Sequence, residues 1–187
     1  MLVEILIYVM RENPKIVDRD TGKIYWDHRS LAVTGVITAT DDKNHEVYVL
    51  LERRGPGCPD NVGKLCCVCG YIGWDETRRD ALIRETYEET GLEVKDSQIF
   101  ELETIDDPKR DPKQNIVTRY LIDCKYRTIK RALDNGTINT RSKSRGGEKD
   151  EVSEFLLLTY YEISELDSSE FAFGHKEMII EILENEF

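Results

Sequence analysis

A chain of 187 residues can bury one substantial core, so we predict a single domain over residues 1–187. The hydrophobic share of 40% and the charged share of 34% are those of an ordinary folded protein and exclude a disordered tail. A net charge of −11 disfavours a general nucleic-acid binder, which usually carries a basic surface. It does not exclude a small anionic substrate, since clustered carboxylates and divalent cations form a local positive site.

The N-terminal segment 1–10 is apolar, but it contains Glu4 and lacks a basic leader and a small-residue cleavage site. We therefore predict a first β-strand at 3–9 rather than a signal peptide. No apolar run approaches the roughly 20 residues that span a bilayer, so no membrane partner is expected. Five cysteines, an odd number, without secretory features predict reduced thiols and a cytoplasmic location.

Runs rich in β-branched residues predict further strands at 31–40, 46–53, 64–69, 92–104 (with a break near 95–97), 116–126 and 154–159. The polar segment 41–45 predicts a hairpin turn, and the glycines and prolines of 54–63 predict a loop. A helix is expected from about Asp75, as N-cap, to Thr90, with Gly91 at the C′ position. A terminal amphipathic helix is expected at 170–186.

The segment 127–150 is polar and rich in basic residues, which predicts a mobile loop or a lid. Strands and helices follow one another without a regular βαβ alternation. This order favours an α+β fold, a mixed β-sheet sandwiched between helices, over a parallel dinucleotide-binding sheet.

A zinc site with thiolate ligands could be formed by four cysteines that lie close in the sequence, Cys58, Cys66, Cys67 and Cys69. Adjacent residues of an extended strand point to opposite faces, so Cys66 and Cys67 cannot easily share one ion. We expect small, partly buried strand side chains, with metal or redox chemistry as the alternative.

The most informative segment is 70–92, with the sequence GYIGWDETRRDALIRETYEETGL. On a helix, Glu85, Glu88 and Glu89 occur at positions i, i+3 and i+4, so their carboxylates share one face. Ile83 and Tyr87 are expected to point away and to bury against the sheet. Such a charge run is often only a solvated face, but Mg²⁺ or Mn²⁺ would remove the mutual repulsion of the three acids and give them a function.

This segment resembles the signature of the Nudix hydrolase family. The matching positions are Gly70, Glu76, Arg84, Glu85, Glu88, Glu89, Gly91 and Leu92. Thr86 departs from the pattern, because an aliphatic residue is usual there. Two further segments, 107–112 and 171–175, resemble runs found in the ADP-ribose pyrophosphatase-like members, with Gly174 in place of an acid.

The resemblance implies cleavage of a pyrophosphate linkage with Mg²⁺ or Mn²⁺ as cofactor. It implies metal binding by Glu85, Glu88, Glu89 and the Gly70 carbonyl, with Arg84 orienting the glutamates. The general base is left open among Glu89 and four acids of a later segment, Glu148, Asp150, Glu151 and Glu154. Substrate contacts are expected from Arg53, Arg54, Arg110 and Glu151. His28, His45 and His175 are predicted to be surface or packing residues, with His175 a candidate for the site.

The leading functional reading is hydrolysis of ADP-ribose or a related nucleotide sugar. The alternatives are a nucleoside triphosphate or dinucleoside polyphosphate hydrolase, and a regulatory module that senses ADP-ribose without turnover. The expected partner is a small nucleotide substrate and not a nucleic acid, while the oligomeric state is left open, a homodimer being one option.

Overall fold

The computed structural model of the protein describes residues 15–26, 28–111, 113–141 and 150–187. The predicted strand at 3–9 lies outside the described residues. Within the described ranges the strands are β1 Lys15–Val17, β2 Ile24–Trp26, β3 Leu31–Thr40, β4 Val47–Arg54, β5 Leu65–Cys66, β6 Val68–Tyr71, β7 Ile99–Ile105, β8 Ile116–Lys125 and β9 Val152–Thr159. The helices there are α1 Arg78–Thr90, α2 Tyr126–Asp134, α3 Tyr160–Glu165 and α4 His175–Glu186.

Strand β3 lies at the centre of a mixed seven-stranded sheet. One edge of β3 pairs in parallel with β8 along its whole length, and β8 pairs in turn with β7. The other edge is shared, because residues 32–35 pair with β6 and residues 37–40 pair with β4. The sheet therefore forks at this edge. The edge of β4 that pairs with β3 at residues 47–50 pairs with β5 at residues 52–53, and the other edge of β4 pairs with β9.

The fork separates two consecutive short strands. Strand β5 pairs with β4, placing Cys66 opposite Glu52, whereas β6 returns to β3. Cys67 lies between them, and its N–H donates to Nδ1 of His175 (3.0 Å) instead of joining a strand. The single strand predicted at 64–69 is thus two strands with different partners.

Helices cover both faces of the sheet. The alternating side chains of β3 divide between two cores, since Val33 and Ile37 pack with Leu82 of α1 and Ile129 of α2, while Val36 packs with α3 and α4. The predicted fold class, a mixed sheet sandwiched between helices, is confirmed. No helix in the described ranges is both long and apolar enough to cross a bilayer.

Helix α1 begins later than predicted. Its N-cap is Thr77, not Asp75, because the Thr77 hydroxyl accepts from the N–H of Asp80 while the Asp80 carboxylate accepts from the N–H of Thr77. The predicted C′ glycine is confirmed: Gly91 has φ 84°, and its N–H donates to the carbonyl of Tyr87.

Several elements differ from the sequence prediction. The segment predicted as a loop or lid from residue 127 begins as helix α2, and residues 142–149 of it lie outside the described residues. Residues 92–95 form no strand, and the predicted helix at 170–186 begins only at His175, after a short 3-10 turn. The hairpin β1–β2 and helix α3 were not predicted.

Candidate functional site

Arg84 is the centre of the polar cluster on α1. Its Nε and Nη2 donate to the two carboxylate oxygens of Glu76 (3.0 and 2.7 Å), and Nη1 donates to Glu85 (2.7 Å) and Glu88 (3.2 Å). Nη2 also reaches the carbonyl of Tyr71 (3.0 Å). One guanidinium thus joins the loop before the helix, the helix face and the end of β6.

Glu85 lies directly against the backbone of Gly70. A Cβ at position 70 would stand 2.0 Å from Glu85 Oε1, so any other residue would displace this carboxylate or the strand. Gly70 lies on β6 in register with Val33 of β3. Glycine at this position therefore permits the close approach of helix and strand that brings the Gly70 backbone and the acidic face together.

Glu89 extends the cluster into the interior. Only 6% of its surface is exposed, and its Oε2 accepts from the N–H of Cys69 on β6 (3.2 Å). The acidic face of α1 therefore faces the strand and is not a solvated face. The expectation for the opposite face was wrong for Tyr87, which is 41% exposed, whereas Ile83 is partly buried and packs against the core as expected. The buried residues of the helix are Ala81, Leu82, Thr86, Glu89 and Thr90.

A fourth acid, missed by the sequence reasoning, lies near the cluster. Glu52 is 3% exposed; its Oε1 accepts from the Cys66 thiol (3.3 Å), and its Oε2 has no hydrogen-bond partner. Glu52 continues the face of β4 that carries Tyr48 and Leu50, the face that contributes to the core beneath α1. Its signal in the sequence was weak, because a glutamate at the end of a strand usually points to solvent.

The electrostatics of these acids reflect burial. Burial raises the pKa of Glu85 to about 7, although the hydrogen bond from Arg84 works in the other direction. Burial also raises the pKa of Glu89, and after burial the charge of Glu52 has the largest effect on it. By contrast, the hydrogen bond from Arg84 lowers the pKa of Glu76. A bound metal ion would favour the ionised form of these buried carboxylates and would offset their mutual repulsion.

The donor set consists of carboxylate oxygens and one backbone carbonyl, which suits hard divalent cations such as Mg²⁺ or Mn²⁺. The orphaned Oε2 of Glu52 adds an oxygen that lacks a partner. Within the described ranges no three His, Cys, Asp or Glu side chains already surround a single point as ion ligands. Arg84 is one reason why the carboxylates do not surround a single point, because Glu85 and Glu88 both pair with its guanidinium.

The two arginines that end β4 have different environments. Arg53 pairs with Glu154 (2.9 Å) and donates to the carbonyl of Gly63. Arg54 is more buried, with its guanidinium 4.9 Å from the ring centre of Phe173 and hydrogen bonds to Asp60. Arg54 thus lies at the junction of the glycine/proline loop and the segment before α4.

The acids considered as the general base also differ in their environments. Glu148 lies outside the described residues, Glu154 is paired with Arg53, and Asp150 is exposed. Burial is the main cause of the raised pKa of Glu52, Glu85 and Glu89, and the charge of Glu151 raises the pKa of each further, so Glu151 is within electrostatic range of the cluster. The Glu151 carbonyl accepts from the N–H of Gly55, which fixes its backbone beside the end of β4.

Arg110 is exposed in a turn, where its N–H donates to the carbonyl of Asp107. The ends of this loop are held by Arg29, which donates to the carbonyls of Asp106, Gln114 and Asn115, a role that was not predicted. Lys113 pairs with Asp60, the partner of Arg54, and so links the loop to the arginine end of β4. The loop therefore borders the site, although its Arg110 side chain extends to solvent.

The cysteines are free thiols, and Cys66 and Cys67 are fully buried. As predicted for neighbours on a strand, they face different surroundings, Cys66 contacting Glu52 and Cys67 packing beneath α4.

His28 and His45 are exposed, as expected. His175 is buried, and burial lowers its pKa to about 3, so it is a neutral acceptor for Cys67 and has a packing role.

A model of the NUDIX domain matches residues 28–181. The chain belongs to the Nudix family. Both the predicted family and the assignment as a Nudix hydrolase are confirmed at this level, whereas no curated protein matches the sequence.

Solved structures share the Nudix fold at low identity. The NUDIX domain of Shewanella oneidensis NrtR, solved with ADP ribose, is 18% identical with a TM-score of 0.63; the match covers 86% of this chain and 90% of that one. A MutT/nudix family protein from Enterococcus faecalis is 20% identical with a TM-score of 0.60, and covers 83% of this chain. This Nudix chain spans 61% of the length of that relative.

A third structure contains a nucleotide and a metal ion. It is a bifunctional NMN adenylyltransferase/ADP ribose pyrophosphatase from Francisella tularensis, complexed with AMP and Mn ion. It is 18% identical to this chain with a TM-score of 0.56, and the match covers 84% of this chain and 42% of that one. At such identities these likenesses establish the fold.

The departure from the family pattern at Thr86 has a structural counterpart. Thr86 is fully buried, and its hydroxyl has no hydrogen-bond partner. An aliphatic side chain would fill this position without an unpaired polar atom. The departure therefore affects packing behind the helix and leaves the acidic face intact.

Proposed function

We propose that this Nudix protein is a divalent-cation-dependent hydrolase that cleaves the pyrophosphate bond of a nucleoside diphosphate derivative. The observation that carries the proposal is the convergence of Glu85, Glu88 and Glu89 beside Gly70, organised by Arg84. The oxygen-only donor set and the unpartnered oxygen of Glu52 support a hard cation, Mg²⁺ or Mn²⁺, at this place.

In the proposed reaction, water attacks one phosphorus of the pyrophosphate, a new P–O bond forms, and the bridging oxygen departs with the other phosphate. When bound, the cation supplies charge neutralisation of the phosphates and acidifies water for the attack. Glu85, Glu88, Glu89 and the Gly70 carbonyl would hold it. Arg84 fixes the glutamates in place, because its hydrogen bonds restrict their rotamers.

Proton removal from the attacking water is assigned to Glu151. Its charge acts on the buried acids, and its backbone is fixed by Gly55, whereas Glu154 is neutralised by Arg53. A general base must lie within reach of the proton that it removes, and Glu151 is the described acid of this segment whose charge acts on the buried glutamates.

The proposed substrate is ADP-ribose or a related nucleotide sugar. We expect Arg54, which contacts Phe173 and Asp60, to bind a phosphate, with Arg53, the preceding residue of β4, as a second candidate. Arg110 lies on the loop that Lys113 and Asp60 connect to Arg54. The relatives solved with ADP ribose and with AMP and Mn ion lend support to this substrate class.

The test is a hydrolysis screen with Mg²⁺ across ADP-ribose, nucleotide sugars, dinucleoside polyphosphates and nucleoside triphosphates. We expect a higher kcat/KM for ADP-ribose or a nucleotide sugar than for ATP or GTP. Arg110→Ala should erode this preference more than it changes metal binding. Faster cleavage of triphosphates or dinucleoside polyphosphates would overturn the substrate assignment and leave the hydrolase assignment in place.

A second candidate function is nucleotide sensing without turnover. It is favoured by the likeness to NrtR, which has been crystallised with ADP ribose and with a 27mer DNA. Tight binding of ADP-ribose with no Mg²⁺-dependent release of AMP in the same screen would select the sensor.

A further inference from the structure

Glu52 has an environment that its sequence position does not explain. It follows Leu50 and Leu51 on a strand whose central residues are buried, and it is itself 3% exposed. A buried carboxyl group is costly unless each of its oxygens has a partner. Only Oε1 has one, the thiol of Cys66.

Neither protonation state satisfies the second oxygen. If Glu52 is ionised, the lone pairs of Oε2 lack a donor; if it is protonated there, the proton lacks an acceptor. Leaving a buried group of this kind unsatisfied is destabilising. Burial raises the pKa of Glu52, and the charge of Arg54 only opposes this rise. The Arg54 guanidinium donates to Asp60 and makes no hydrogen bond to Oε2 of Glu52. The missing partner is therefore not an arginine of the described site.

Other carboxylates are close enough to Glu52 for their charges to act on it. The hydrogen bond with Cys69 and burial raise the pKa of the Cys66 thiol most, and the charges of Glu52 and Glu89 raise it further. Among the charges that act on Glu89, that of Glu52 has the largest effect. Glu85 and Glu151 act on Glu52 in turn. The arrangement results from the fork in the sheet, since β5 holds Cys66 opposite Glu52 while β6 holds Cys69 against Glu89.

We propose that Glu52 is a further ligand of the divalent-cation centre, contributing Oε2 beside Glu89 while the Cys66 thiol holds Oε1. The inference rests on the proposed function, because it assigns one more side chain to the same cation. It extends the centre beyond the family signature to a residue of β4. A cation at this point provides what Oε2 lacks and offsets the repulsion between two buried acids.

The test measures Mn²⁺ binding in the absence of substrate, from the loss of the free-ion electron paramagnetic resonance signal during titration. Four proteins are compared: wild type, Glu52→Gln, Glu89→Gln and Glu103→Gln. Glu103 is a matched strand glutamate, which pairs with Arg119 away from the cluster. We expect Glu52→Gln and Glu89→Gln each to weaken binding by at least about 10-fold, as loss of a ligand should, and Glu103→Gln to match wild type.

A second pair of variants keeps the proposal testable if Glu52→Gln does not fold. Cys66→Ala removes the donor to Oε1 and should weaken Mn²⁺ binding by about 10-fold, whereas Cys66→Ser keeps a donor and should bind like wild type. If Glu89→Gln weakens Mn²⁺ binding while Glu52→Gln or Cys66→Ala leaves the affinity unchanged, the role of Glu52 is overturned. The proposed function is unaffected by that result. Failure of the wild-type protein to bind Mn²⁺ would instead overturn the proposed function, and this inference with it.

Discussion

Arg84 and Glu76 form a bidentate ion pair across the start of α1, with Nε and Nη2 at 3.0 and 2.7 Å from the two carboxylate oxygens. The pair ties the loop before the helix to its second turn. It also aims the remaining nitrogen, Nη1, at Glu85 and Glu88. A lysine could keep the charge but could not make these contacts together.

Arg84→Lys should therefore lower kcat by about 10- to 100-fold, the usual cost of losing a group that orients metal ligands. Arg79→Lys is the matched control, because Arg79 is on the same helix and pairs with an exposed acid, Asp96. Steady-state kinetics under saturating Mg²⁺ measure both. Equal kcat values for the two variants would show that the guanidinium geometry is not used.

Glu89→Gln should separate activity from stability. Because the carboxylate is buried, replacing it with a neutral amide of the same size should keep or raise the Tm of the metal-free protein. Activity should fall by more than about 100-fold, since even groups outside the first coordination sphere contribute 10- to 100-fold. The measurement combines thermal unfolding in a chelator with turnover at limiting Mg²⁺. Wild-type turnover by this variant would contradict the metal-site assignment.

Thr86→Val should stabilise the protein by about 1 kcal/mol, because it removes a buried hydroxyl that has no partner and keeps the side-chain shape. Thr90→Val serves as the control. Its hydroxyl donates to the carbonyl of Thr86 and accepts from the N–H of Leu92, so its loss should be destabilising. Urea unfolding compares the two. Destabilisation of similar size by both substitutions would mean that the Thr86 hydroxyl has a partner in solution.

The raised pKa of Glu85 predicts a pH dependence of stability in the metal-free protein. The folded state holds the proton up to about pH 7, whereas the unfolded chain releases it near the ordinary value of 4.5. The contribution of Glu85 to the free energy of unfolding is therefore fully present below pH 4.5 and is lost as the pH rises through 7. Between pH 5 and 8, the free energy of unfolding of wild type relative to Glu85→Gln should fall by on the order of 2 kcal/mol.

Comparing wild type with Glu85→Gln cancels the opposite effect of His175 on the pH dependence of stability, because both proteins contain His175. Its lowered pKa removes stability as the pH falls from 6.5 toward 3. Saturating Mg²⁺ should abolish the decline above pH 5, because the cation favours the ionised carboxylate. A difference between the two proteins that does not change with pH in the chelator would show that Glu85 titrates normally.

Helix α1 shows which features of the site can be predicted from the sequence and which cannot. The i, i+3, i+4 spacing of Glu85, Glu88 and Glu89 depends only on helical geometry, so their common face was predictable. The start of the helix was not, because Asp75 and Thr77 are both good N-caps and only the reciprocal bonds of Thr77 with Asp80 select between them. Local propensity ranks such choices but does not decide them.

Long-range pairing explains what was missed at the site. Glu52 looks like the polar end of a strand, and its burial follows from β5, α1 and the segment before β9, which the sequence does not place around it. The helix α2 was missed for a different reason. Tyr126, Ile129 and Leu133 have helical spacing, but the many charged residues between them resemble a loop.

The hydrogen bond from Cys67 to His175 joins residues 108 positions apart. Beside it, Ala172 donates its N–H to the carbonyl of Leu65, so the segment that precedes α4 holds β5 in place. During synthesis on the ribosome, the acidic face of α1 and the strands β3 and β4 emerge long before this segment does. The Cys66–Glu52 side of the cluster therefore gains its final support only after residue 175 has left the exit tunnel, which makes assembly of the site a late step in the maturation of the chain.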